Sequence, residues 1–210
     1  MVKDIDVLVS FPSGSFPHHL CDVNGVSYFV AYTNSSQDNG LYKTDGTAAG
    51  TVLVNNLNDL NFAGWDGPNS LISFNGMLYF TETVSNKNNF FRVNNFNTTE
   101  LILENVGASR NIVIGGTMYF RGNASTITGS ELWKTDGITT TMVKDIFPGT
   151  NSSSPDLLTN VNGTLFFTAT DGVNGAELWK SDGTGAGTVM VKDITTANNI
   201  NTNVPTLLLM

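Results

Sequence analysis

A single cysteine, Cys21, excludes any disulfide within the 210-residue chain. Histidine is nearly as scarce: His18 and His19 are the only two, and Leu20 alone separates them from Cys21. Adjacent residues on a strand point to opposite faces, so this pair is poorly placed to hold one metal ion. Cys21 is expected instead to be a small buried residue on the first strand of a repeat. Charge is sparse as well, at 13% of residues, about half the usual share. The 10 Lys and Arg form no cluster, and the net charge is −8. Binding a phosphate backbone needs a basic footprint, so a nucleic-acid partner is not expected. No run of about 18 apolar residues exists to insert in a bilayer. The first 20 residues lack the basic start and apolar core of a secretory leader. On that ground the protein is expected to be intracellular, or to carry no leader in this sequence.

What fills the space is 26 Asn, 26 Thr and 21 Gly, with 40% hydrophobic residues. Such a composition favours turns and strands over long helices. One phrase recurs: "ELWKTDGITTTMVKDI" from Glu131, "ELWKSDGTGAGTVMVKDI" from Glu177, and a weaker "LYKTDGTAAGTVLV" from Leu41. Four hairpin signals precede or interleave these copies, at Asn24-Gly25, Asn75-Gly76, Gly115-Gly116 and Asn162-Gly163. Asn-Gly and Gly-Gly between apolar runs predict tight type I′ turns, because both central residues need positive φ. Each hairpin is followed by a third and a fourth apolar segment. Four short strands in roughly 40–50 residues is the period of a β-propeller blade. The fold expected is therefore all-β: a small propeller of four four-stranded meander blades, with a split fifth as a variant and no significant helix. The repeats run approximately over 6–57, 58–106, 107–146 and 147–194.

Within a unit, "GTLFFTATD" reads as a strand buried between neighbouring blades. Trp133 and Trp179, with Tyr42 and Phe91 at the equivalent place, are expected to be core rather than a stacking platform for ligand. Asp45, Asp136-Gly137 and Asp182-Gly183 read as side-chain-to-backbone turns between third and fourth strands. Calcium is the competing use of these aspartates, but the alternating carboxylates of an EF-hand loop are missing. "GTGAGT" at 183–188 lacks the Lys of a phosphate loop and leads into a strand rather than a helix.

"ELWKTDG", "ELWKSDGTGAGT", "VKDI", "PGTNSSSP" and "LTNVNGTLFFTATDGVNGAELW" resemble the ELWxxDGT-repeat family of bacterial, mostly secreted or surface proteins. The likeness is strong over 131–194, fair over 1–54, and degenerate over 55–130, where "FFRVNNFNTTE" lacks the Trp and the Asp-Gly. It implies tandem propeller-like blades, an extracellular or cell-surface setting and no established catalysis. The motif residues Trp133, Asp136, Gly137, Trp179, Asp182 and Gly183 carry over as structural.

No catalytic residue is identified and no cofactor is expected. Both histidines share one dipeptide, and neither G-x-S-x-G nor H-E-x-x-H occurs. Two readings of function are left. In one, a monomeric propeller binds a glycan or a cell-surface protein through Asn/Thr-rich loops. In the other, the chain is a structural subunit that joins copies of itself. The ends favour self-association. "MVKDI" at the start is a fourth strand without a blade, and "VPTLLLM" at the end is a first strand without one. Val2, Lys3, Asp4 and Ile5, together with Pro205, Leu207, Leu208 and Leu209, are expected to form strands that complete a blade edge, within the chain or between copies. Sequons stand at Asn34, Asn97, Asn123, Asn151 and Asn162, the last in a hairpin too tight to favour a glycan.

Overall fold

The computed structural model describes residues 1–5, 14–32, 39–56, 71–84, 87–94, 96–104, 109–123 and 128–194. Among these residues every regular element is a strand and there is no helix. Sheet I holds β1 (His18–Val23), β2 (Val26–Tyr32), β3 (Asn39–Thr44) and β4 (Val52–Asn56). Sheet II holds β5 (Ile72–Phe74), β6 (Met77–Val84), β7 (Lys87–Val93) and β8 (Thr99–Leu103). Sheet III holds β9 (Ser109–Ile114), β10 (Thr117–Gly122), β11 (Glu131–Thr135) and β12 (Thr140–Lys144). Sheet IV holds β13 (Asp156–Val161), β14 (Thr164–Thr170), β15 (Ala176–Ser181) and β16 (Val189–Lys192). Each sheet is an antiparallel meander whose spatial order follows the sequence. These are four β-propeller blades.

The local causes are those read from the sequence. All four first hairpins turn on residue pairs with positive φ, from Asn24 at 54° and Gly25 at 81° to Asn162 at 51° and Gly163 at 86°. That is the backbone a type I′ turn demands. Every third-to-fourth strand pairing also carries one bulge at the same place, and the extra residue is Val54, Ile102, Val143 or Val191. A bulge adds twist and bends the strand, and its recurrence gives the four sheets one shared curvature.

The core lies between sheets. Each sheet has a rear face toward the preceding sheet and a forward face toward the next. Val23, Tyr28 and Leu41 on the forward face of sheet I meet Leu78, Phe80 and Val93 of sheet II. Phe74, Tyr79 and Phe90 of sheet II meet Met118, Phe120 and the partly buried Trp133 of sheet III. Ile114, Tyr119, Leu132, Val143 and Ile146 of sheet III meet Leu165, Phe167, Ala169 and Trp179 of sheet IV. Sandwiching on both faces explains the unbroken apolar runs Tyr28–Ala31 and Leu78–Phe80 on second strands. Among the described residues no apolar cluster joins sheet IV to sheet I.

Several expectations are corrected. Residues 2–5 are not in a strand. A fourth strand pairs with the third strand of its own sheet, and among the described residues none lies beside them. Lys3 and Ile5 attach by their side chains instead. Pro205, Leu207, Leu208 and Leu209 lie outside the described residues. Second, His18 and His19 do not splay apart: their rings stand 4.7 Å from one another. The cause is a kink in β1, where His19 takes φ 53° and the pairing with β2 shifts register. Cys21 is only half-buried, at the margin of the sheet I–II cluster. Third, Trp133 is half-buried rather than enclosed like Trp179.

Candidate interaction face

At the junction of sheets III and IV each letter of the repeated phrase has a distinct task. Glu131 is fully buried and accepts hydrogen bonds from Ile146 N at 2.8 Å, Ser153 N at 2.9 Å and Ser153 Oγ at 2.6 Å. It thereby pins the end of its own VKDI segment. Burial pushes its carboxyl above the ordinary range, against the lowering pull of those donors. Glu177 repeats the first of these bonds, accepting from Ile194 N at 3.2 Å. Leu132 fills the forward face and Trp133 the rear. Lys134 Nζ reaches forward to Gly183 O, 2.8 Å away, in the next sheet's turn. Lys144 of VKDI reaches Thr188 O at 2.8 Å and lies over the Trp179 ring, 5.9 Å from its centroid. Ile146 closes the junction.

The forward reach recurs along the array. The residue after the third-strand aromatic is Lys43, Arg92, Lys134 or Lys180. Lys43 Nζ donates to Asn97 Oδ1 at 2.7 Å, and Arg92 Nη1 donates to Gly137 O at 2.8 Å. Sheet II keeps the geometry without the letters. There Asn94 Oδ1 accepts from Phe96 N at 2.9 Å and Thr98 N at 3.1 Å, doing what an aspartate does elsewhere. Sheet II has also lost its VKDI, with Leu103 at the place of Lys144 and Glu104 at that of Asp145. Trp133 therefore has no lysine across its ring, and its Nε1 is buried without a partner. Trp179 Nε1, by contrast, donates to Ala169 O at 3.0 Å.

Asp45, Asp136 and Asp182 are exposed and form their turns internally. Asp182 Oδ1 accepts from Thr184 N at 2.8 Å and Thr184 Oγ1 at 2.7 Å. Asp45 does the same with Thr47, at 2.9 and 2.7 Å. The Thr hydroxyl bond, with the backbone N–H beside it, holds each of these carboxyls below the ordinary range. Asp136 accepts from Ile138 N and Thr139 N at 2.8 and 2.7 Å, and the Thr139 bond leads the lowering of its carboxyl. Among the described residues no three His, Cys, Asp or Glu side chains gather as a metal site. The glycines of "GTGAGT" serve this turn. Gly183 takes φ 87° and Gly137 φ 94°, while a Cβ on Gly187 would collide with the Asp182 carboxyl. Gly187→Ala is thus expected to expel Asp182 from its turn and cost about 1–2 kcal/mol, read as a lowered midpoint in thermal unfolding. Among the sequons, Asn34 lies outside the described residues, and Asn97, Asn123, Asn151 and Asn162 are exposed.

The array ends in two unlike faces. On the forward face of sheet IV, Val161, Phe166, Leu178, Val191 and Ile194 occupy the positions of Ile114, Tyr119, Leu132, Val143 and Ile146 in sheet III. Leu132 is 0% exposed and Leu178 37%; Ile146 is 4% exposed and Ile194 67%. Lys180 and Lys192, the forward-reaching cations of this sheet, are exposed as well. The rear face of sheet I is covered: Phe29, Ala31 and Tyr42 are buried, with Ile5 packed on them, and Lys3 Nζ donates to Thr51 O at 2.8 Å. Sequence reasoning chose the terminal segments for joining, but it missed this apolar forward face. The signal was present, since Phe166, Leu178 and Val191 align with residues that must be buried one repeat earlier.

No protein-family model matches the chain, and no curated protein matches it. Among the solved structures that resemble it are the following three. A putative TolB from Agrobacterium tumefaciens is 9% identical with a TM-score of 0.45, over 77% of this chain and 59% of that one. TolB from Acinetobacter baumannii is 12% identical with a TM-score of 0.42, over 75% and 38%. A nidogen/laminin complex is 9% identical with a TM-score of 0.29, over 80% and 76%. The chain thus spans less than two thirds of the length of either TolB chain.

Proposed function

We propose that this protein is a non-catalytic structural and interaction module of the ELWxxDGT-repeat kind, which self-associates head to tail through the ends of its blade array. The observation that carries this reading is the exposed forward face of sheet IV, where the counterparts of Val161, Phe166 and Leu178 are buried at all three internal junctions and those of Val191 and Ile194 at the III–IV junction. An apolar surface of matched residues with two uncapped lysines is what a further blade would cover. The extracellular or cell-surface setting rests on the family resemblance.

The test is the mass of the particle in solution across a concentration series. The intact chain is expected to form species larger than a monomer, and Leu178→Asp, which puts a charge in the centre of the face, is expected to abolish them. A strictly monomeric intact chain would instead favour a binding propeller for a glycan or cell-surface protein.

A further inference from the structure

On the reading that the chain self-associates, we infer that the rear face of sheet I is a seat for a Val-Lys-Asp-Ile segment. In the single chain its own residues 2–5 hold that seat, and in the assembly Val191–Ile194 of a second copy take it. The two tetrapeptides are identical, and the same four residues recur at 143–146. The third copy shows the seat filled by a whole sheet. There Lys144 Nζ donates to Thr188 O at 2.8 Å, and Ile146 is buried with Phe167, Ala169 and Trp179. At the start of the chain Lys3 Nζ donates to Thr51 O at 2.8 Å, and Ile5 packs on Phe29, Ala31 and Tyr42. The two seats correspond residue for residue.

The occupants differ in how firmly they are held. Ile146 arrives pinned by Glu131 on a sheet that also delivers Tyr119 and Leu132 to the junction. Residues 1–4 are exposed and stand outside any strand, so the cis occupant is held through Lys3 and Ile5. Val191–Ile194 come attached to a complete forward face, with Ile194 N bonded to Glu177. Exchange therefore replaces a short plug by the same four residues together with Val161, Phe166 and Leu178. Lys180 of the second copy then faces the Gly46 carbonyl of the first, as Lys134 faces that of Gly183. Because Phe29, Ala31 and Tyr42 are buried in the single chain, release of residues 2–5 is the step that opens the seat. The interface uses two different surfaces, so successive exchanges give a ring if the rotation closes and a filament if it does not.

The test uses full-length variants in sedimentation velocity over a concentration series, with thermal unfolding as the check on folding. Ile5→Ser weakens the plug and is expected to move association to about tenfold lower concentration. Ile194→Ser weakens the incoming segment and is expected to raise that concentration by a similar factor. The Ile5→Ser/Ile194→Ser chain should associate more weakly than Ile5→Ser alone. If Ile5→Ser associates as the intact chain does while Leu178→Asp is monomeric, the seat is wrong and docking through the sheet IV face stands. If the double variant associates as strongly as Ile5→Ser, the exchange is overturned, since the gain then owes nothing to Ile194. If the intact chain and Ile5→Ser are both monomeric at every concentration, the seat and the self-association reading fall together.

Discussion

Trp179→Ala is expected to lower the free energy of unfolding by about 3–5 kcal/mol, the range for emptying a large aromatic from a packed interior. Trp179 is 6% exposed, donates its Nε1 proton to Ala169 O, and carries Lys144 across its ring. Its loss opens a cavity at the III–IV junction and strips the lysine of its platform. Trp133→Ala should cost less, about 2 kcal/mol, because Trp133 is half-buried and its Nε1 has no partner to lose. Urea unfolding of the two variants measures the difference directly. Were Trp179 a ligand platform rather than a structural wedge, its variant would unfold with the parent's midpoint.

Glu131→Ala is expected to cost about 3 kcal/mol, because it leaves the N–H of Ile146, the N–H of Ser153 and the Ser153 hydroxyl without an acceptor inside the fold. The carboxylate's own burial cost is recovered in the same step, which keeps the figure below three full hydrogen-bond penalties. The pH dependence has a definite sign. Burial raises the Glu131 carboxyl, so the folded state holds the proton to higher pH than the unfolded state does. Its contribution is full below the ordinary glutamate value and is lost as pH rises through the raised one. The turn aspartates act in the opposite sense and in a lower window. Asp45, Asp136 and Asp182 are lowered by their turn hydrogen bonds, so their contribution is lost as pH falls through the lowered values. Glu131→Gln cannot ionise and should flatten the slope on the upper side while leaving the acid limb unchanged. Unfolding midpoints across a pH series would show this, and an unchanged upper slope would mean that the buried carboxyl is not its source.

The fold was legible because its signals are local. Asn-Gly at 24–25, 75–76 and 162–163 demands one turn type, and the period of four strands per repeat leaves one architecture. Sheet II was harder, since Phe91 stands for Trp and Asn94 for Asp. Its geometry survives because an asparagine oxygen accepts the same backbone protons as an aspartate. Alternation misled at His18 and His19, where the positive φ of His19 breaks the two-residue period. The difference between Trp133 and Trp179 was hidden for another reason: the cover over each tryptophan comes from the fourth strand of the preceding sheet. Identical letters therefore sit in unlike surroundings. The joining face was least legible, because exposure of Leu178 depends on what stacks beyond it and not on its own repeat.

The order of the junctions has a consequence for how the chain comes into being. The three apolar clusters that bridge sheets, I–II, II–III and III–IV, each join elements consecutive in sequence. Among the described residues no such cluster makes the last sheet find the first. As the polypeptide emerges in synthesis, each sheet can settle on the one just before it and gain its rear-face contacts at once, its forward face being covered when the next sheet follows. The described sheets can thus accumulate stability in steps along the chain, as a row of stacked repeats does.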